Sequence, residues 1–260
     1  MPGELIAVCS ATGGTGRTMI TVNISVILAS RGNKVAALDG DLQFGDLCMA
    51  MDVVPANTIT DVVTRDDGKN VSDFYERHVS GVEILAAPER PEEADYITEN
   101  DLSSILNEMK ANSDYVLVDT MPGFSERSLS IMELSDQLLI VTSNGMAALK
   151  NTKLMLETLE KLNMKSKASI IVNRSTSLGS IRANELNEML DTNQLFYLSN
   201  DYKHVSYSLE TGIPFVTERP KLEISKAMFH MVDTLFPYEQ KYRTNTRKRL
   251  LQKTLRPWKK

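Results

Sequence analysis

Three glycines lie close together between residues 10 and 18, where the sequence reads SATGGTGRT. A short apolar run precedes this segment and a helical pattern follows it, so the glycines fall in a strand-to-helix turn. Glycine permits the tight turn that directs successive N–H groups into one concavity, and the helix adds the positive end of its dipole. Such a turn accommodates a phosphate group, although a turn without a ligand can have the same sequence.

The segment is similar to a Walker A loop, with Ala11 in place of its first glycine and Arg17 in place of its lysine. Thr18 is placed to ligate Mg²⁺, and Arg17 is the cation that would reach the β- and γ-phosphates. The predicted phosphate contacts are Gly13, Gly14, Thr15, Gly16, Arg17, Thr18 and Met19.

Polar side chains end three further apolar runs. Asp39 and Asp41 follow the second predicted strand, Asp119 ends the run YVLVD, and Asn173 ends the run IIVN. Carboxyl ends of parallel strands meet at one edge of a sheet, where open α/β proteins bind ligands. There, carboxylates could hold a magnesium-bound water or orient an attacking water, and the Asn173 amide could pair with a base edge. An acidic turn, or an asparagine that merely forms a turn, would have the same local pattern.

Short apolar runs alternate with helix-length patterns along the chain, which predicts βαβ units and a doubly wound α/β fold. The sheet should be mostly parallel, with about seven to eight strands and helices on both faces. The predicted strands cover residues 5–9, 34–38, 82–86, 115–118, 137–142, 168–173 and 196–198. Helices are predicted over 17–30, with Gly32 as its stop, 101–110, 148–162 and 223–235.

Charge is distributed unevenly along the 260 residues. Residues 241–260 hold nine basic and no acidic side chains, whereas the first 240 hold 20 basic and 34 acidic ones. We therefore predict a nucleotide-binding domain over 1–238 and a basic tail over 239–260. The tail could lie on an anionic membrane, contact nucleic acid phosphates or an acidic partner, or remain a solvated end. Two separated cysteines and no secretory pattern favour the cytoplasm.

In this order and spacing, the segments resemble the MinD/ParA branch of the P-loop NTPases (SIMIBI class, deviant Walker A ATPases). The resemblance covers about residues 3–236. Residues 39–47, DGDLQFGDL, are most similar to the CpaE/TadZ subgroup, which accompanies tight-adherence (Flp/type IVb, Tad) pilus machinery. Residues 135–142 and 210–216 agree with the same family.

The resemblance implies roles for individual residues. ATP or ADP would be bound with Mg²⁺, which Thr18, Asp39 and Asp119 would hold. Asp41 would position the hydrolytic water. Gly123 would contact the γ-phosphate and Asn173 the adenine. The family also implies a homodimer that encloses ATP, in the cytoplasm or peripherally at the inner face of the membrane or a cell pole.

Two departures from the family loop KGGxGK[ST] bear on activity. Thr12 stands where the signature lysine reaches the partner's nucleotide, and Arg17 replaces the P-loop lysine. Because a cation aimed at the transferred phosphoryl group can be worth about 10³–10⁵ in rate, we expect weak or negligible hydrolysis, with Arg17 as the remaining catalytic cation.

Function is expected to be ATP-dependent positioning or assembly of a pilus or secretion apparatus. The alternatives are a ParA-like partition or cell-division positioning ATPase that binds DNA or membrane, and a scaffold whose loop holds no nucleotide. The acidic body argues against DNA binding, and the chain has no helix-turn-helix extension for sequence-specific reading.

Overall fold

The computed structural model describes residues 2–65, 68, 70–175, 183–192 and 194–237. Within these ranges, helices lie on both faces of one eight-stranded sheet. The predicted basic tail, residues 239–260, lies outside the described residues, so the division into a domain and a tail stays a prediction. No helix in the described part of the chain has the length and apolar character needed to span a bilayer.

The strands are β1 (Glu4–Cys9), β2 (Val35–Gly40), β3 (Glu76–Arg77), β4 (Glu83–Leu85), β5 (Tyr115–Thr120), β6 (Gln137–Ser143), β7 (Ala168–Ser175) and β8 (Leu195–Ser199). The α-helices are α1 (Arg17–Ser30), α2 (Ile59–Thr64), α3 (Glu99–Asn112), α4 (Glu126–Leu134), α5 (Met146–Lys161), α6 (Ala183–Leu190), α7 (Tyr202–Thr211), α8 (Phe215–Glu218) and α9 (Glu223–Leu235).

The sheet order is β3-β4-β2-β5-β1-β6-β7-β8, and every neighbouring pair is parallel except β3 with β4. From β1 the chain proceeds to β2 on one side, and from β6 it proceeds to β7 on the other. The topological switch point therefore lies at β1 and β6, the place where open α/β sheets bind ligands. The predicted doubly wound, mostly parallel sheet of seven to eight strands is confirmed.

Both faces of the sheet are buried, which explains why its strands lack a polar alternation. In β1, the side chains of Leu5, Ala7 and Cys9 belong to one core cluster, and those of Ile6 and Val8 belong to the other. The cluster that contains Ile6 and Val8 also holds the buried residues of α1, α8 and α9. The opposite cluster holds those of α3, α4 and α5.

Helix α1 has its predicted bounds, and ten of its fourteen residues are buried. Gly32, predicted to stop it, has φ +82° in the turn beyond its end. Helix α3 begins two residues before the predicted start because Thr98 and Asp101 form a reciprocal capping box. Strand β3 was not predicted, since a two-residue edge strand has too few positions to show a periodic pattern.

Phe215 offers a test of how the α1 face of the sheet is packed. Its side chain is 1% exposed in the core cluster of α1, α8 and α9. We expect Phe215→Ala to lower the free energy of unfolding by about 3–5 kcal/mol, because truncation leaves a cavity. Phe44→Ala is the matched control, since Phe44 is 76% exposed. This variant should change the free energy of unfolding by less than about 0.5 kcal/mol. Urea denaturation followed by far-UV circular dichroism measures both, and equal effects would contradict this description of the core.

Candidate nucleotide-binding site

The loop between β1 and α1 makes two turns that require glycine. Gly14 has φ +68° and Gly16 has φ +99°, both in the left-handed region. A Cβ on Gly16 would lie 2.5 Å from Asn173 Nδ2, so the side-chain amide of β7 also requires glycine there. The two conditions together fix the path by which the chain enters α1.

Helix α1 presents its N-terminal N–H groups at this loop without competition from its own side chains. Gly16 at the N-cap provides no side-chain hydrogen bond, and the first turn contains no acidic residue. By contrast, Thr98 caps α3 and Ser125 caps α4 through their hydroxyl groups. The positive end of the α1 dipole is therefore available to an anion, as the sequence pattern predicts.

The Arg17 side chain folds back over the start of the loop. Its Nη1 donates to Ser10 Oγ at 2.5 Å and lies 3.5 Å from the Thr12 carbonyl oxygen. Its Nε lies 3.8 Å from Asp119 Oδ1, in an ion pair whose side chains are 11% and 4% exposed. The predicted phosphate-reaching cation is thus engaged with the loop and with the end of β5.

Thr18 and Asp119 are brought together as predicted for a metal site. The Thr18 hydroxyl lies 2.6 Å from Asp119 Oδ2 and 2.9 Å from Asp46 Oδ1. A hydroxyl has one hydrogen, so it cannot donate to both carboxylates at once. Asp46 received no role from the sequence analysis, although it lies in the same acidic segment as Asp39 and Asp41.

Asp39 and Asp119 are register partners on the adjacent strands β2 and β5. Both are buried, at 2% and 3% exposure. Burial, followed by the charge of Asp119, raises the pKa of Asp39 well above its usual range. Burial raises the pKa of Asp119 to about 7, against the lowering effects of the Thr18 hydrogen bond and the Arg17 charge. An incoming cation would relieve the repulsion between the two carboxylates.

Asp39 also accepts hydrogen bonds from the loop that follows β2. Its Oδ2 accepts a hydrogen bond from Leu47 N at 2.9 Å, and its Oδ1 accepts one from Asp41 N at 3.3 Å. Gly45 packs so closely that a Cβ there would lie 2.4 Å from Asp39 Oδ2. The carboxylate therefore closes residues 41–47 into a turn, and its assignment as a metal ligand stays a prediction.

The remaining predicted residues lie at the same edge of the sheet. Asp41 accepts a hydrogen bond from Phe44 N at 3.2 Å within the loop after β2. Gly123, with φ +78°, donates its N–H to the Ser10 carbonyl oxygen at 2.8 Å and joins the loop after β5 to the loop after β1. The predicted roles of Asp41 in water positioning and of Gly123 at a γ-phosphate stay predictions.

Asn173 fastens β7 to the phosphate loop. Its Nδ2 donates to the Thr15 carbonyl oxygen at 2.8 Å, and its Oδ1 accepts from Arg174 N at 2.8 Å. Among the described residues, these bonds leave one N–H and one lone pair of the amide for other partners. Beside it lies a cavity of about 90 Å³, which is lined by Gly16, Met19, Asn173, Arg174, Asn200 and Tyr202, among others. The contact of Asn173 with an adenine base stays a prediction.

The donor set fits Mg²⁺, which prefers oxygen ligands and keeps several waters. Thr18 supplies a hydroxyl and Asp119 a carboxylate, and Asp119 Oδ1 is buried with no hydrogen-bond donor among the described residues. Among the residues that the structure describes, no group of three or more histidines, cysteines or acids could hold a metal ion. Phosphate oxygens and water would therefore have to complete the coordination.

Three apolar side chains are exposed at this edge of the sheet, two on loops and one at the start of α5. Phe44 is 76% exposed after β2, Phe124 is 39% exposed after β5, and Met146 is 61% exposed after β6. Such a concentration of apolar surface around a site is typical of a protein interface. These three residues were not predicted from the sequence, because an isolated apolar residue carries no periodic signal.

The sheet with this loop at its switch point defines an α/β protein of the P-loop class. The model of the AAA_31 family, described as an AAA domain, matches residues 3–172. The chain belongs to this family, and its relatives and structural neighbours make it a P-loop protein of the MinD/ParA type.

Two relatives are septum site-determining proteins MinD. The chain is 25% identical to that of Thermotoga maritima over 175 residues, which cover 66% of this chain and 64% of that protein. It is 25% identical to the MinD of Synechocystis sp. over 236 residues, which cover 88% of this chain and 87% of that protein. The match thus spans less than two thirds of the length of the Thermotoga relative.

Solved structures agree with the fold. The structure of the septum site-determining protein MinD from Pyrococcus horikoshii, complexed with Mg-ADP, superposes with a TM-score of 0.81. It is 26% identical in sequence, and the match covers 90% of this chain and 96% of that one.

Gly16 and Gly13 test the loop geometry within one segment. Gly16→Ala places a Cβ against Asn173 at φ +99°, and should lower the free energy of unfolding by about 1–3 kcal/mol. Gly13→Ala is the control, because no atom lies within 4 Å of its Cβ position and its φ is not positive. Thermal melting of the nucleotide-free proteins measures the difference. Equal melting temperatures for the two variants would contradict the described path of the loop.

Proposed function

We propose that the chain binds ATP or ADP with Mg²⁺ in the loop between β1 and α1. The observation that carries the proposal is the uncapped N-terminus of α1, which faces a loop of positive-φ glycines beside Thr18 and Asp119. The Pyrococcus horikoshii relative is described as complexed with Mg-ADP, which supports the choice of ligand. The cavity beside Asn173 is the proposed position of the base.

The proposed assembly is a homodimer with the nucleotide enclosed between its subunits. Support comes from the exposed Phe44 and Phe124, which lie on loops, and Met146, the first residue of α5, all at the same edge of the sheet as the phosphate loop. In this assembly the nucleotide would determine dimerisation, and dimerisation would determine partner binding. A related structure from Aquifex aeolicus is described as a MinC:MinD cell division protein complex.

For the partner, we propose a pilus or secretion apparatus of the tight-adherence type, with the chain as a positioning or assembly factor of the CpaE/TadZ kind. The support is the stretch DGDLQFGDL at residues 39–47 and the replacement of both loop lysines by Thr12 and Arg17. Neighbouring genes for a secretion ATPase and a prepilin would support this assignment. The alternative is a ParA-like or cell-division positioning ATPase, which the septum site-determining relatives favour.

Hydrolysis is proposed to be weak. Arg17 holds the Ser10 hydroxyl and faces Asp119, and a planar guanidinium cannot simply take the place of an ammonium in a tight phosphate loop. Thr12 cannot supply a cation to a partner's nucleotide. Arg17 keeps its charge but holds it beside Ser10 and Asp119, and Thr12 carries no charge, so less positive charge is available to stabilise the transferred phosphoryl group.

A fluorescent ATP analogue and a phosphate-release assay test binding and turnover separately. We expect the chain to bind the analogue with Mg²⁺ and to release phosphate very slowly. The double variant Thr12→Lys/Arg17→Lys should accelerate release by at least about 10²-fold, because it adds a cation at position 12 and replaces the planar guanidinium at position 17 with an ammonium. Arg65→Lys is the control, since Arg65 lies at the end of α2 and pairs with Asp61.

Each function predicts a different result in these assays. Absence of analogue binding would contradict the proposed site and favour a scaffold without nucleotide. Turnover as fast as that of a lysine-bearing relative would contradict the argument about Arg17. Salt-sensitive retention of non-specific DNA by the ATP-bound protein would favour the partition alternative.

The basic tail is proposed to bring the protein to an anionic membrane surface. Leu251, Leu255 and Trp258 alternate with basic residues in the sequence, and each cation near such a surface contributes about 1 kcal/mol. In sedimentation with anionic liposomes, the full chain should pellet and a chain lacking residues 241–260 should remain in the supernatant. Neutral liposomes are the control. Equal pelleting of the two chains would show that the tail is not the membrane contact.

A further inference from the structure

We propose that the Arg17 guanidinium supplies at Asp119 the positive charge that Mg²⁺ would otherwise bring, so that nucleotide binding by this chain depends little on Mg²⁺. This inference deepens the proposed nucleotide binding and in part rests on it. A measurement without nucleotide tests it separately.

The Arg17 guanidinium lies beside Asp119. Arg17 Nε and Asp119 Oδ1 are 3.8 Å apart and buried, and neither atom has a hydrogen-bond partner within the described part of the chain. An ion pair at this distance neutralises charge without satisfying the hydrogen bonds. Asp119 is also the carboxylate that is predicted to hold the metal, so the guanidinium already lies beside that group.

Several acids surround the ion pair of Arg17 and Asp119. Asp119 experiences the charges of Asp46 and Asp41, and it faces Asp39 across the neighbouring strand. Arg17 is the cation that forms an ion pair with Asp119 in the described structure. A divalent cation that approached Asp119 would be repelled by this guanidinium and would compete with it for one carboxylate.

The shape of the Arg17 side chain lets it contact Ser10 and Asp119 at once. A guanidinium carries five N–H donors in a fixed fork and keeps its charge at every physiological pH. Here one arm donates to Ser10 Oγ at 2.5 Å while Nε faces Asp119. A lysine ammonium is one point charge on a flexible stem, so it lacks the rigid fork that holds both groups at once. Arginine at this position therefore specifically fixes a charge beside the end of β5.

The nucleotide-free test compares melting temperatures in EDTA and in millimolar Mg²⁺ or Mn²⁺. The unmodified chain should be almost unaffected by the metal, because Arg17 already balances Asp119. Arg17→Gln removes the charge and shortens the side chain, so the melting temperature of this variant should fall in EDTA and recover with metal by about 2–4 °C. Arg31→Gln is the matched control. Arg31 lies just beyond the other end of α1, is 15% exposed and pairs with Asp233 at 2.6 Å, so its loss should not be repaired by metal.

The experiment with nucleotide measures the binding of a fluorescent ADP analogue. For the unmodified chain, the dissociation constant in EDTA should lie within about 3-fold of that in Mg²⁺. For Arg17→Lys, removal of Mg²⁺ should weaken binding of the analogue by about 10-fold or more. A loss of 10-fold or more in the unmodified chain on removal of Mg²⁺ would overturn the inference, as would equal stabilisation of the unmodified chain and Arg17→Gln by metal. Absence of binding in both buffers would refute the proposed function, while the melting temperatures would still decide the inference.

Discussion

A buried carboxylate at the end of β5 is the constraint around which the rest of the site is arranged. Asp119 is 3% exposed and lies beside a second buried acid, Asp39, on the adjacent strand. A buried charge must be paired, hydrogen-bonded or neutralised, because desolvation would otherwise make it very costly. The Thr18 hydroxyl and the Arg17 guanidinium meet this requirement from the first turn of α1.

The fold explains why these groups reach Asp119 from α1. Strand β1 pairs with β5 on one side and with β6 on the other, and Val8 is the register partner of Asp119. The loop after β1 must therefore pass the carboxyl end of β5 before α1 begins. Because α1 is buried against the sheet by α8 and α9, its axis is fixed, and only the positive-φ glycines can absorb the change of direction.

The sequence predicted the parts of this arrangement that follow from burial. The run 115–118 was identified as a strand because both faces of β5 are covered, and Asp119 was placed at its end for the same reason. Asp39 was predicted at the same edge of the sheet, but its register pairing with Asp119 and its hydrogen bonds from the N–H groups of Asp41 and Leu47 were not. They depend on how residues 41–47 close on themselves, which is decided by three-dimensional packing around Gly45.

The direction of the Arg17 side chain shows a second limit of sequence reasoning. Its type and spacing indicated a cation for phosphates, whereas in the structure it contacts Ser10 and Asp119. Spacing along a chain determines where a Cα lies, but the end of a long side chain moves to the strongest nearby charge. Four acids, Asp39, Asp41, Asp46 and Asp119, lie near Arg17, and its guanidinium pairs with the Asp119 carboxylate. A cation held at Asp119 is withdrawn from the transferred phosphoryl group. On the proposed assignment, one contact therefore accounts both for weak hydrolysis and for a site that needs little metal. Nucleotide occupancy would then follow the concentrations of ATP and ADP rather than a cycle of turnover.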